Sequence, residues 1–238
     1  MARVTDVMVS GTMGNVVLYR RMDTNCSRIK RNSIKQTAAT KIRSENFGIA
    51  ARAAKPLRQG LNAVIPFPTD RSMQSRFSGA IAKWLKLSNV DTLPPCDPAN
   101  YVSGFQFTSG ATFNERFKVP VTVEHPEDNL ITVSVSAFVP AVKVAAPAGT
   151  LFIDLVMAVA GCLLKTGIAT GAETQRIQVP YNNNEIPAQM LKFYAPVRKG
   201  SLTITAAWLQ YYIIKNNGIT RTENPAFMPA GIINASFQ

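Results

Sequence analysis

Apolar and polar positions follow two rhythms along this chain, one on each side of a proline-rich stretch at residues 89–100. From Arg3 to Val9 the two kinds alternate loosely, and Ser10-Gly11-Thr12-Met13-Gly14-Asn15 supplies turn residues. Val16-Val17-Leu18-Tyr19 then forms a β-branched and aromatic run, so a hairpin is predicted. After the turn-forming Met22-Asp23-Thr24-Asn25, residues Cys26 to Arg31 predict a third short strand carrying Arg28, Lys30 and Arg31. Between Gln36 and Val64, the residues Ile42, Ile49, Ala53, Leu57, Leu61 and Val64 recur at steps of three, four or seven, the spacing of one helix face. Pro56 either kinks this helix or opens a second one as a first-turn residue, and Gly60 weakens the same region. A further helix starts at Thr69 or Asp70, either able to cap it, and places Met73, Phe77, Ile81 and Trp84 on one stripe before Ser88-Asn89.

Pro94, Pro95 and Pro98 with Asp91 and Asp97 stop any element from running through residues 89–100, which predicts a linker. Beyond it the period falls to two. Residues 112–124 and 129–139 are strand-like around His125-Pro126-Glu127-Asp128, and 151–164, 175–180, 190–194, 201–215 and 230–237 add further strands. The expected fold is therefore α+β: a small basic hairpin and a helical hairpin over residues 1–88, a linker over 89–100, and an antiparallel, immunoglobulin-like β-sandwich over 101–238.

Charge divides the chain at nearly the same place. Up to Lys86 there are 16 Lys and Arg against four acidic residues, whereas Leu87 to Gln238 holds ten of each. The whole net charge of +12 thus sits in the first third, where it attracts a polyanion such as nucleic acid, an anionic membrane or an acidic partner face. A basic face that is merely solvated is the plain alternative. Only 17% of residues are charged, so much of the surface is uncharged or covered by a partner, which favours assembly.

Catalytic chemistry finds little support. Cys26, Cys96 and Cys162 are odd in number, far apart and without a C-x-x-C pair, so neither a disulfide framework nor a zinc site is indicated. His125 is the sole histidine, and its acidic neighbours Glu124, Glu127 and Asp128 read as an exposed turn better than as a metal or acid–base site. Gly11-Thr12-Met13-Gly14 lacks the Lys-Ser/Thr of a phosphate loop, and no nucleophile elbow or dinucleotide fingerprint occurs. No catalytic residue, cofactor or metal is expected. The start of the chain has no apolar run of signal-peptide length, and residues 151–164, interrupted by Asp154, are too short to span a bilayer. Synthesis in the cytoplasm is expected, with a virion or other assembled particle as the destination.

The polyanion-binding candidates are Arg20, Arg21, Arg28, Lys30, Arg31, Lys35, Lys41 and Arg43, with Tyr19 as a stacking ring. They suit phosphate contacts without base readout; equally, these residues suit pairing with acids of a neighbouring subunit. The run around Trp208, Tyr211, Tyr212 and Ile213 is the candidate for self-association, with burial inside a sandwich as its plain alternative. Expected partners are further copies of the chain or other structural subunits, and nucleic acid.

The segment Gly11-Thr12-Met13-Gly14-Asn15-Val16-Val17-Leu18-Tyr19-Arg20, followed by a basic stretch and Phe47-Gly48-Ile49-Ala50-Ala51-Arg52-Ala53-Ala54-Lys55-Pro56-Leu57-Arg58, resembles the opening of a family of proteins of unsettled function from Bacteroidota and their phages. The Gly-x-x-Gly-Asn-Val-Val-x-Tyr-Arg pattern covers the first quarter of the chain. Tyr211-Tyr212 and residues 224–230 resemble that family's end loosely. The resemblance implies a lineage and a non-enzymatic role, and brings no catalytic residues with it. Two functions therefore stand as expectations: a structural, self-assembling protein, and a nucleic-acid-binding module working through phosphate contacts.

Overall fold

Short alternating segments joined by tight turns give the N-terminal residues an antiparallel meander rather than a single hairpin. Its strands β1 (Arg3–Thr5), β2 (Met8–Met13), β3 (Val16–Arg21) and β4 (Thr24–Ile29) pair in chain order. Gly14 allows the β2–β3 turn because its φ of +58° is one that L side chains rarely adopt. The computed structural model describes residues 3–5, 8–21, 24–30, 36–66, 72–87, 97–127, 129–195, 198–215 and 218–238. Two units separate, Met1–Lys41 and Ile42–Gln238.

One helix, α1 (Ala38–Gly60), runs unbroken through Pro56. Pro56 has no N–H to offer the carbonyl of Arg52, one turn earlier. Gly167, at φ +70°, lies against that carbonyl, and a Cβ there would stand 2.8 Å from Arg52 O. The second helix, α2 (Met73–Leu87), carries the expected stripe, with Met73, Phe77, Ile81 and Trp84 buried. Its expected caps Thr69 and Asp70, and residues 89–96 of the expected linker, lie outside the described residues, while the linker's last two residues, Ala99 and Asn100, already belong to a short helix.

Three short helices follow among the strands: α3 (Ala99–Val102), α4 (Phe113–Arg116) and, after β5 (Val121–Glu127) and β6 (Leu130–Val135), α5 (Pro140–Lys143). The remaining strands are β7 (Thr150–Leu163), β8 (Ala169–Pro180), β9 (Gln189–Tyr194), β10 (Ser201–Lys215), β11 (Gly218–Arg221) and β12 (Ala230–Phe237). Every strand pairing among the described residues is antiparallel. The central sheet runs β11-β10-β7-β8, with β12 sharing the β10 edge, and a second sheet runs β5-β6-β9.

β7 and β10 are apolar on both faces because both faces are covered. On one side Val156, Ala158, Ala160 and Cys162 of β7 share a core with α1 and α2. On the other, Ile153, Leu155, Met157 and Val159 share a second core with Ile131 and Val133 of β6 and Phe193 of β9. The result is three layers: helices, a five-stranded sheet and a three-stranded sheet. Trp84 meets Phe237 of β12 edge-on at 5.4 Å, tying α2 to the sheet. The β-rich α+β class of the sequence reading holds, but an immunoglobulin-like arrangement does not follow from these sheet orders. The helices expected to accompany the basic segment share a core with the central sheet, and the compact units are residues 1–41 and 42–238.

Candidate interaction surface

In the N-terminal sheet, register decides which side chains share a face, because residues directly opposite one another point the same way. Val17 faces Arg28, Tyr19 faces Cys26 and Arg21 faces Thr24. One face therefore presents Tyr19, Arg21 and Arg28 together, with the Arg28 guanidinium 5.9 Å from the Tyr19 ring centre. The other face pairs Met13 with Val16, Val16 with Ile29, Leu18 with Ser27 and Arg20 with Asn25. Met13 is 64% exposed and Ile29 is 76% exposed. None of the described side chains between Ser10 and Lys41 is buried, so this sheet has a basic aromatic face, an apolar face and no core among those side chains.

Of the eight basic candidates, Arg21 and Arg28 come together beside Tyr19, while Arg20 lies on the apolar face. Lys30 is exposed where β4 ends, its N–H donating to Asn15 O at 2.6 Å. Lys41 and Arg43 are exposed on the first turns of α1, and Arg31 and Lys35 lie outside the described residues. A second basic surface was missed in the sequence. The helical layer exposes Arg52 and Lys55 on α1 and Lys83 and Lys86 on α2, and Glu45 is the single acid in either helix. The signal was legible: between the apolar stripe positions of both helices, the charged residues are almost all basic.

The self-association candidates have a different fate. Trp208 is 7% exposed in the helix-side core and Tyr211 is fully buried in the sheet-side core, where its hydroxyl donates to Ala145 O at 3.2 Å. Both are interior to the chain, as the burial alternative expects: β10 is covered on both faces and its apolar run fills two cores. Tyr212 and Ile213 are half-buried, and Tyr212 stacks on Phe152 with ring centres 4.4 Å apart. What β10 leaves outside is its C-terminal end, where Ile214 pairs with Ile219 of β11 and both are exposed.

In the second unit, one buried charged cluster is satisfied by its neighbours, whereas the buried His125 Nδ1 has no hydrogen-bond partner among the described residues. Asp154, 1% exposed in β7, is held by Arg176 at 3.3 Å and accepts from Gln178 Nε2 at 3.4 Å. Burial and the adjacent Asp154 carboxylate push the Tyr212 phenol above its ordinary range. This cluster keeps a charge inside a sheet, and each of its groups already has a partner. His125 falls at an irregularity in β5, between Glu124 and Glu127, where burial lowers its pKa. Among the described residues no group of three or more His, Cys, Asp or Glu could hold a metal ion. No helix there is long and apolar enough to cross a membrane.

No family model matches the chain, and neither does any curated protein. Among solved structures, it is similar to a glycosyl hydrolase family 2 member from Bacteroides cellulosilyticus, at 12% identity and a TM-score of 0.21 over 48% of this chain and 14% of that one. It is also similar to a protein from Archaeoglobus fulgidus, at 11% identity and a TM-score of 0.20, over 50% of this chain and 91% of that one. The chain thus spans about a seventh of the hydrolase, and likenesses this slight carry neither a fold nor an activity across.

Proposed function

We propose that the chain is a non-enzymatic structural protein of an assembled particle, whose basic N-terminal sheet docks on nucleic acid while the three-layer unit associates with its own kind. The observation that carries this reading is the open N-terminal sheet. A small sheet holds its shape by covering an apolar face, and here Met13, Val16, Leu18 and Ile29 form such a face with none of them buried. A partner that covers it completes the unit. Charge argues for a polyanion in that assembly: with 26 basic and 14 acidic residues, copies of the chain cannot neutralise one another's basic surfaces. The resemblance of residues 11–20 to a family found in Bacteroidota and their phages points to the same kind of role.

The second reading, a monomeric nucleic-acid-binding module, is favoured by one feature: Arg21, Arg28 and Tyr19 on one face can contact phosphates and stack on a base. Size-exclusion chromatography with light scattering, recording the 260/280 nm ratio at low and high salt, separates the two. An oligomer that persists in high salt and sheds nucleic acid there is the expected result. A monomer that sheds nucleic acid puts the module first, and a monomer that never carries any removes both. The double variant Arg21→Gln/Arg28→Gln should lower the slope of log affinity against log salt by about two, one for each phosphate that an arginine no longer neutralises.

A further inference from the structure

A groove of about 600 Å³ opens in the helical layer where the C-terminal turns of α1 meet the first turn of α2. Lys55, Arg58 and Gln59 line it from α1, Asn62 and Ile65 from the turn that follows, and Met73 and Gln74 from α2. Among the described residues the lining holds two cations, three carboxamides and no carboxylate, so it is rich in hydrogen-bond donors. Arg58 is held in place: its Nε donates to Ala54 O at 3.2 Å, which lays the side chain along its own helix and leaves the two terminal nitrogens to donate elsewhere. Among the described residues, no side chain bonds to Lys55, Gln59, Asn62 or Gln74. Half-buried Ile65 adds an apolar edge beside these groups, and Met73 beneath it belongs to the core.

We propose that this groove binds a nucleoside phosphate, with Lys55 and Arg58 on the phosphate, the carboxamides on sugar or base edges, and Ile65 against the base. Arg58 supplies the forked geometry that suits a phosphate and Lys55 a second positive charge. Amides that both donate and accept match the mixed edges of a nucleoside better than they match a bare oxyanion. The same chemistry accommodates a free nucleotide or one unit of a polynucleotide. The inference stands on the second unit alone and holds whether or not the N-terminal sheet docks on nucleic acid.

The test is calorimetric titration of the full-length chain with AMP, adenosine and inorganic phosphate. AMP should bind at least tenfold more tightly than adenosine or phosphate, and Lys55→Gln/Arg58→Gln should weaken it at least tenfold. Gln74→Glu, which adds a carboxylate at an exposed position and leaves the helix packing intact, should do the same. Arg21→Gln/Arg28→Gln on the N-terminal sheet should leave AMP affinity unchanged while weakening any oligonucleotide bound there, so failure of this site and failure of the sheet are told apart. Equal affinity for AMP and adenosine, or AMP binding that survives both groove variants, overturns the proposal. Where AMP binds as expected, displacement by a short single-stranded oligonucleotide identifies a polynucleotide site, and no displacement identifies a free-nucleotide site.

Discussion

Gly60 and Cys162 lie where α1 packs on the central sheet, and each constrains that packing differently. A Cβ on Gly60 would stand 2.7 Å from the Ala160 Cβ and 2.9 Å from the Ala172 Cβ, and neither alanine has a rotamer with which to yield. Gly60→Ala should therefore destabilise the chain by about 1–3 kcal/mol despite its better helix propensity, read as a lowered urea midpoint at constant m-value. An unchanged or higher midpoint would mean that α1 can back away from the sheet. In the sequence Gly60 read only as a weakness in a helix; the reason for it is a neighbour far along the chain. Cys162 is fully buried, its thiol donates to Ala53 O at 3.6 Å, and burial pushes its pKa up to about 12. The thiol stays neutral in the fold and ionises more readily when unfolded, so its contribution is complete below about pH 9 and is lost as pH rises toward 12. Between about pH 9 and 11 stability should fall more steeply in the parent than in Cys162→Ala, by up to about 1.4 kcal/mol per pH unit. Parallel alkaline unfolding curves for the two proteins would refute that assignment.

At the scale of elements, periodicity told which face of each segment is apolar but not what covers it. The stripe of α1 and the two-sided apolar runs of β7 and β10 were all legible, yet they read as a helical hairpin beside a two-layer sandwich. The helices cover one face of the central sheet, a long-range fact that no local period records. Likewise Tyr19, Arg21 and Arg28 were each visible, but their common face depends on register, and a slip of one residue would send them to the other side. Strand edges carry a device equally hidden from pattern. β9 pairs with β6 on one side, and on the other Gln175 of β8 donates from its Nε2 to Lys192 O at 2.6 Å while Glu173 accepts from the Tyr194 N–H. Side chains of one sheet thus occupy backbone groups at the edge of the other, where an open edge invites pairing with a second chain. Glu173→Ala/Gln175→Ala should cost only about 1 kcal/mol, since these bonds are solvent-exposed, but should raise concentration-dependent light scattering. Unchanged scattering with the same small loss of stability would assign the pair to stability alone.

At the scale of the whole molecule, charge and core are segregated. Every buried apolar side chain described lies between Ala50 and Ala235, whereas residues 1–36 hold seven basic and two acidic residues and contribute none of those buried side chains. The first segment thus accounts for a large share of the net charge and for none of the described core. A chain beginning at Thr37 keeps all of α1 and both hydrophobic clusters. It should unfold in one cooperative transition with a Tm within a few degrees of the full chain, because the buried surface that sets stability is unchanged. Its affinity for a polyanion should fall, with a shallower salt dependence, since the removed cations no longer displace counterions from phosphates. Two measurements on the same truncated protein, thermal unfolding and oligonucleotide binding across a salt series, examine these expectations separately. A large fall in Tm would mean that the N-terminal segment supports the body of the fold. An undiminished salt slope would move polyanion binding to the helical layer, where Arg52, Lys55, Lys83 and Lys86 remain exposed. Cooperative unfolding with a reduced slope would establish the division of labour that the charge partition implies, with one segment for contact and the three layers for shape.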